Sequence, residues 1–186
     1  ALPISKYLQE KYGAHVYISS QDWDLMEPPP AAAGGEKKKA AAPVLPNHDM
    51  LLTEGQPVVV GDAKVTPVFI PGHTPGSMAL IFPVKDNGKL HMAAIFGGAV
   101  LLVRVMSGTR EQYLNSIEHF RDEAKKAKVD VYLKDHPLFD GEAEKLVKLK
   151  ARKKNEPNPF VVGQASYMRY VDVMSNCFQA QIEAHK

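Results

Sequence analysis

The sequence predicts a single α/β domain, and three observations carry that prediction. Residues 50–105 hold successive short apolar runs separated by turns rich in Gly, Pro and Asn, the pattern of consecutive strands. Apolar residues at helical spacing flank this stretch on both sides. The length of 186 residues, with 45% hydrophobic and 24% charged content, suffices for one sizeable core and is short for two.

Ile4, Tyr7 and Leu8 share one face and predict a helix over 3–13 that Gly13 stops. Ala14 to Ile18 reads as a strand. Ser19 or Ser20 then caps a helical turn through Trp23 to Met26. From Pro28 to Pro46 the composition becomes runs of Pro, Ala, Gly and Lys, which read as a low-complexity surface loop. Strands follow at Val58 to Val60 and at Val65 to Ile70, the latter ended by Pro71-Gly72. Met78 to Val84 is the next, and Asp86-Asn87-Gly88-Lys89 signals a tight hairpin back into Leu90 to Phe96. Gly97-Gly98 separates that strand from another at Val100 to Val105.

Beyond Gly108 the period changes. Ser107 or Thr109 caps a helix on which Tyr113, Ile117 and Phe120 recur at helical spacing. Val129 to Leu133 is a short buried strand leading to Lys134-Asp135-His136-Pro137. Residues 141–154 form a basic amphipathic helix, with Leu146 and Leu149 among lysines, read as a solvated outer element. A last helix carries Tyr167, Tyr170, Val171, Met174, Phe178 and Ile182, which must dock on the body.

Composition narrows the function classes. The formal charge of +2 gives no electrostatic case for nucleic acid or an anionic membrane as the main partner. No apolar run approaches the length of a bilayer span. A lone cysteine, Cys177, excludes an internal disulfide and a multi-cysteine metal cage, and is expected in the core.

Seven histidines are present. His15, His48, His91, His119 and His185 read as ordinary solvated or partly buried side chains. His73 and His136 differ, because each sits at a strand end with its backbone restricted, His73 by Gly72, Pro75 and Gly76 and His136 by Pro137. An imidazole held on a rigid strand end is placed in advance for metal binding or general base work, and sites of α/β domains assemble at such ends.

The segment Pro71-Gly72-His73-Thr74-Pro75-Gly76-Ser77 resembles the Gly-His-Thr-Pro-Gly motif of the metallo-β-lactamase superfamily. Asp135-His136-Pro137 is similar to that family's late ligand of the second metal. Ile95-Phe96-Gly97-Gly98-Ala99 has no aspartate or cysteine where other branches place one, so the match is best with lactamases lacking a cysteine ligand. The resemblance implies an αββα sandwich and a zinc-dependent hydrolase of a small-molecule substrate, in which a zinc-activated hydroxide opens a β-lactam or similar cyclic amide. It makes His73 and His136 metal ligands, Ser77 a candidate substrate contact or turn cap, and Asp135 and Asp140 candidate supports of His136. A periplasmic or secreted location goes with it.

The family's His-x-His-x-Asp-His motif occurs nowhere in the sequence, which opens at Ala1-Leu2-Pro3 where relatives have just completed it. The expected fold is therefore N-terminally incomplete, with exposed apolar sheet surface, weak zinc binding and little hydrolysis. Two other readings stand beside this one. The same fold could act on a lactone, thioester or phosphoester, or the chain could be a metal-free binding module.

Overall fold

The computed structural model describes residues 2–26, 44–98, 109–135 and 141–184. The chain divides into two compact units, Ala1–Leu52 and Thr53–Lys186.

In the first unit, helix α1 (Leu2–Tyr12) leads to strand β1 (Tyr17–Ile18), helix α2 (Ser20–Met26) and strand β2 (Met50–Leu51), which pairs parallel with β1. The strand expected over Ala14 to Ile18 is shorter than its sequence signal. The Asp49 carboxylate accepts the Val16 N–H at 2.9 Å, so a side chain does there what a neighbouring strand would do. That bond, with help from His15 and Gln9, holds the Asp49 carboxyl below its ordinary range. Ser19 caps α2, its Oγ accepting from Asp22 N–H at 3.3 Å. Trp23 is buried, donates to Met50 O at 3.2 Å and stacks on His48 at 4.5 Å. The low-complexity loop lies almost wholly in residues 27–43, outside the described ones.

The second unit is built on a five-stranded sheet in the order β3 (Val58–Val60), β4 (Ala63–Phe69), β5 (Met78–Asp86), β6 (Lys89–Phe96), β7 (Val131–Tyr132). The first four pair antiparallel, and β7 joins β6 in parallel. The expected hairpin is present: Asn87 (φ 47°) and Gly88 (φ 80°) form its two-residue loop, the paired positive φ values of a type I′ turn. Pro67 and Pro83 sit in inner strands, a place proline normally avoids. Both fall where pairing has stopped on one side, past Val65 for β3–β4 and past Ile81 for β4–β5. The strand expected at Val100 to Val105 lies outside the described residues.

Helices α3 (Arg110–Lys126) and α5 (Gln164–Glu183) build the core of this unit. Thr109 caps α3, accepting from Gln112 N–H at 3.0 Å. Tyr113, Ile117 and Phe120 of α3 meet Val68, Ile70, Ala79, Ile81, Ala94 and Phe96 of the sheet, together with Tyr167, Val171, Met174 and Phe178 of α5. Phe96 and Phe120 pack edge to face at 5.1 Å, and Tyr113 lies 4.6 Å from Phe178. Cys177 is exposed, contrary to expectation, because the buried stripe of α5 runs through Val171, Met174 and Phe178 and leaves the neighbouring position outside. Helix α4 (Glu142–Ala151) has no buried residue, in line with its reading as an outer helix. No helix among the described residues is long and apolar enough to cross a membrane.

Candidate functional site

Strands β4, β6 and β7 run in one direction, so their carboxyl ends lie on a single edge of the sheet. That edge gathers three segments: Pro71–Gly76 after β4, Gly97-Gly98 after β6, and Leu133–Asp135 after β7. Ligand and catalytic sites of open α/β sheets form outside such ends.

His73 stands in the connection from β4 to β5. Ile70 N–H donates to Ser77 O at 2.9 Å and closes the base of the loop. Inside it, Gly72 N–H donates to Thr74 O at 3.0 Å, and Thr74 N–H to Ser77 Oγ at 3.0 Å. The Thr74 and Ser77 hydroxyls are 2.7 Å apart. Ser77 is buried, with its hydroxyl engaged by the turn, which is the capping role weighed for it beside substrate contact.

Helix α3 braces the turn from behind. Ser116 donates to Pro71 O at 2.7 Å, and Tyr113 donates to Gly98 O at 2.9 Å. A Cβ on Gly72, at φ +144°, would lie 2.6 Å from Tyr113 Cδ2, so only glycine allows the helix this close. A Cβ on Gly98, at φ +70°, would lie 2.5 Å from His73 Cβ and 2.9 Å from its Cγ. The imidazole therefore rests against bare backbone, with Nδ1 enclosed. Tyr113 touches both glycines. Burial first, then Tyr170 and the Asp135 carboxylate, push its phenol well above the ordinary value, which keeps the O–H as a donor to Gly98.

Asp135 is exposed at the end of the β7 segment, on the same edge as His73. His136 and Asp140 lie outside the described residues. The sequence gives no sign that Tyr113 or Gly98 meets the His73 turn. Tyr113 reads there as one more core position of a helix, and its partners lie 15 and 41 positions away.

The other histidines occupy separate places. His119 pairs with Glu54 at 2.5 Å on the surface, and Glu54 also accepts Phe69 N–H at 3.2 Å. His15 pairs with Asp49. His91 is buried against Asp130.

Among the described residues no group of three or more His, Cys, Asp or Glu side chains could hold a metal ion. A catalytic zinc takes three protein ligands and leaves a fourth position open. The rigid, partly enclosed His73 fits one ligand position; the described residues do not fit a whole zinc centre.

The arrangement is that of a metallo-β-lactamase fold, as comparison with solved structures shows. The chain is similar to BJP-1, a subclass B3 metallo-β-lactamase of Bradyrhizobium japonicum, at TM-score 0.70 and 24% identity over 96% of this chain and 66% of that one. It is also similar to FEZ-1 of Legionella gormanii (TM-score 0.69, 21% identity, 98% of this chain, 70% of that one). A metallo-β-lactamase of Cronobacter sakazakii matches at TM-score 0.66 and 24% identity, over 96% of this chain and 67% of that one. The chain thus spans about two thirds of these proteins' length. No protein-family model matches the sequence, and no curated sequence matches it significantly.

Proposed function

We propose that this chain supplies the histidine-bearing sheet edge of a zinc-dependent hydrolase that opens a β-lactam or similar cyclic amide. The observation that supports the reading is the placement of the Gly-His-Thr-Pro-Gly turn at the carboxyl edge of a sheet whose fold is that of subclass B3 metallo-β-lactamases. In this reading His73 serves one metal and His136 the other, with Asp135 and Asp140 orienting His136. The sequence offers one imidazole to each metal, fewer than the three protein ligands that a catalytic zinc needs. The 186 residues alone therefore bind zinc weakly and turn over little substrate.

Isothermal titration of zinc into the chain, beside assays with nitrocefin, a lactone and a thioester, tests this. Weak binding and little turnover are expected. Joining an upstream segment that carries His-x-His-x-Asp-His is expected to give two tight zinc sites and nitrocefin hydrolysis, both lost in His73→Ala. Tight binding of two zinc ions by the 186 residues would refute the incomplete ligand set. A completed protein that hydrolyses the lactone or thioester and leaves nitrocefin intact moves the substrate to that class.

A further inference from the structure

The opposite end of the five-stranded sheet, where β5 turns into β6, holds a second group of chemically capable side chains. From His91 to Phe96 strand β6 extends about 16 Å at the usual rise per residue, which separates this end from the turn that carries His73. His91 is 6% exposed, with Nδ1 2.6 Å from Asp130 Oδ2, and Asp130 Oδ1 accepts Met92 N–H at 3.0 Å. A carboxylate serves here as acceptor to both, so the ring donates from Nδ1 and, in its neutral form, presents the Nε2 lone pair. His91 lines a cleft of about 700 Å³ shared with Lys89, Lys154 and Asn155. Among the described residues Nε2 makes no hydrogen bond.

The walls of the cleft are tied together. Arg152 forms a bidentate pair with Asp86 at 2.6 and 2.8 Å and donates through Nε to Glu156 O at 2.6 Å. Asn87 Nδ2 donates to Lys154 O at 3.2 Å, which fixes the segment after α4 against the β5–β6 hairpin. Arg152 offsets the charge of Asp86, and Glu156 accepts Lys153 N–H at 3.0 Å. Lys89 and Lys154 form no ion pair among the described residues. Two exposed ammonium groups and one buried acceptor nitrogen thus share a preformed cavity.

We propose that this cleft binds an oxyanion that still carries an O–H when doubly charged, namely inorganic hydrogen phosphate. Lys89 and Lys154 take the charged oxygens, and His91 Nε2 accepts the ligand's O–H. Sulfate has the same shape and charge at pH 8 and no proton to donate, so it sets an oxygen lone pair against the Nε2 lone pair. The site therefore prefers phosphate to sulfate.

The test titrates the full 186-residue chain at pH 8 and constant ionic strength with inorganic phosphate, methyl phosphate and sulfate, read by calorimetry and by the His91 imidazole resonance. Saturable phosphate binding that moves this resonance is expected, with sulfate weaker by about ten-fold or more. Lys89→Ala with Lys154→Ala, both exposed positions that leave the melting transition in place, is expected to weaken phosphate by a similar factor. Methyl phosphate, a dianion without an O–H at pH 8, is expected to bind weakly like sulfate; affinity equal to or above that of inorganic phosphate overturns the O–H requirement. Absence of saturable phosphate binding, equal affinity for sulfate, or unchanged affinity in the double lysine variant overturns the proposal.

Discussion

At Gly98 the backbone adopts φ +70° with the His73 ring packed where a side chain would stand. An alanine there meets two costs together, a left-handed backbone and a contact at 2.5 Å, and the imidazole has to move. Gly98→Ala is expected to destabilise the protein by about 1–3 kcal/mol and to shift the His73 ring resonances. Urea unfolding and a histidine-selective spectrum check it, and unchanged His73 signals would remove the positioning role. Asp86 acts at the same scale. Its bonds from Arg152, against some desolvation, hold its carboxyl below the ordinary aspartate value. A depressed carboxyl contributes stability above its unfolded pKa and loses that contribution as pH falls through the lower folded value, below about pH 4. Asp86→Asn is thus expected to lower the urea midpoint at neutral pH and to flatten the fall of stability below about pH 4.

Among the elements, α3 has the widest reach, because one face enters the core while Tyr113 and Ser116 brace the His73 turn. Its start was legible in sequence: Thr109 precedes the first apolar-periodic residues and does cap the helix. Thr109→Ala is expected to cost about 1 kcal/mol, measurable by thermal or urea melts. The β5–β6 hairpin was equally legible, since Asn-Gly between two apolar runs selects the turn whose twist suits paired strands. The elements at Ala14–Ile18 and Val129–Leu133 came out shorter than their patterns, two residues each. In both, hydrogen bonds from outside the strand take over: Asp49 holds Val16, and Asp130 N–H donates to Met92 O at 2.9 Å ahead of β7. Such partners lie more than thirty positions away, beyond any local pattern.

Across the second unit, aromatic side chains of α3 and α5 dominate the buried interior, and Phe178 at 0% exposure packs against Tyr113. Phe178→Ala is expected to cost about 3–5 kcal/mol, and to loosen the His73 turn through Tyr113. At the β3 end of the sheet, Val59 and Val60 are 68% and 64% exposed on a strand that pairs only with β4 among the described residues. Open apolar edges invite pairing with another chain. Val59→Lys is expected to reduce concentration-dependent light scattering without lowering the melting temperature.

The sequence by itself determined the α/β class, the Asn-Gly hairpin, the caps of α2 and α3, and the rigid turn around His73. Each of these rests on residues within a few positions of one another, where backbone preference and side-chain reach operate directly. The tertiary structure decided the rest: that β4, β6 and β7 end on one edge, that Gly98 makes room for His73, that Tyr113 clasps both glycines, and that His91 meets Asp130. These depend on strand direction and on contacts between distant positions, which only the packed sheet and helices bring within reach.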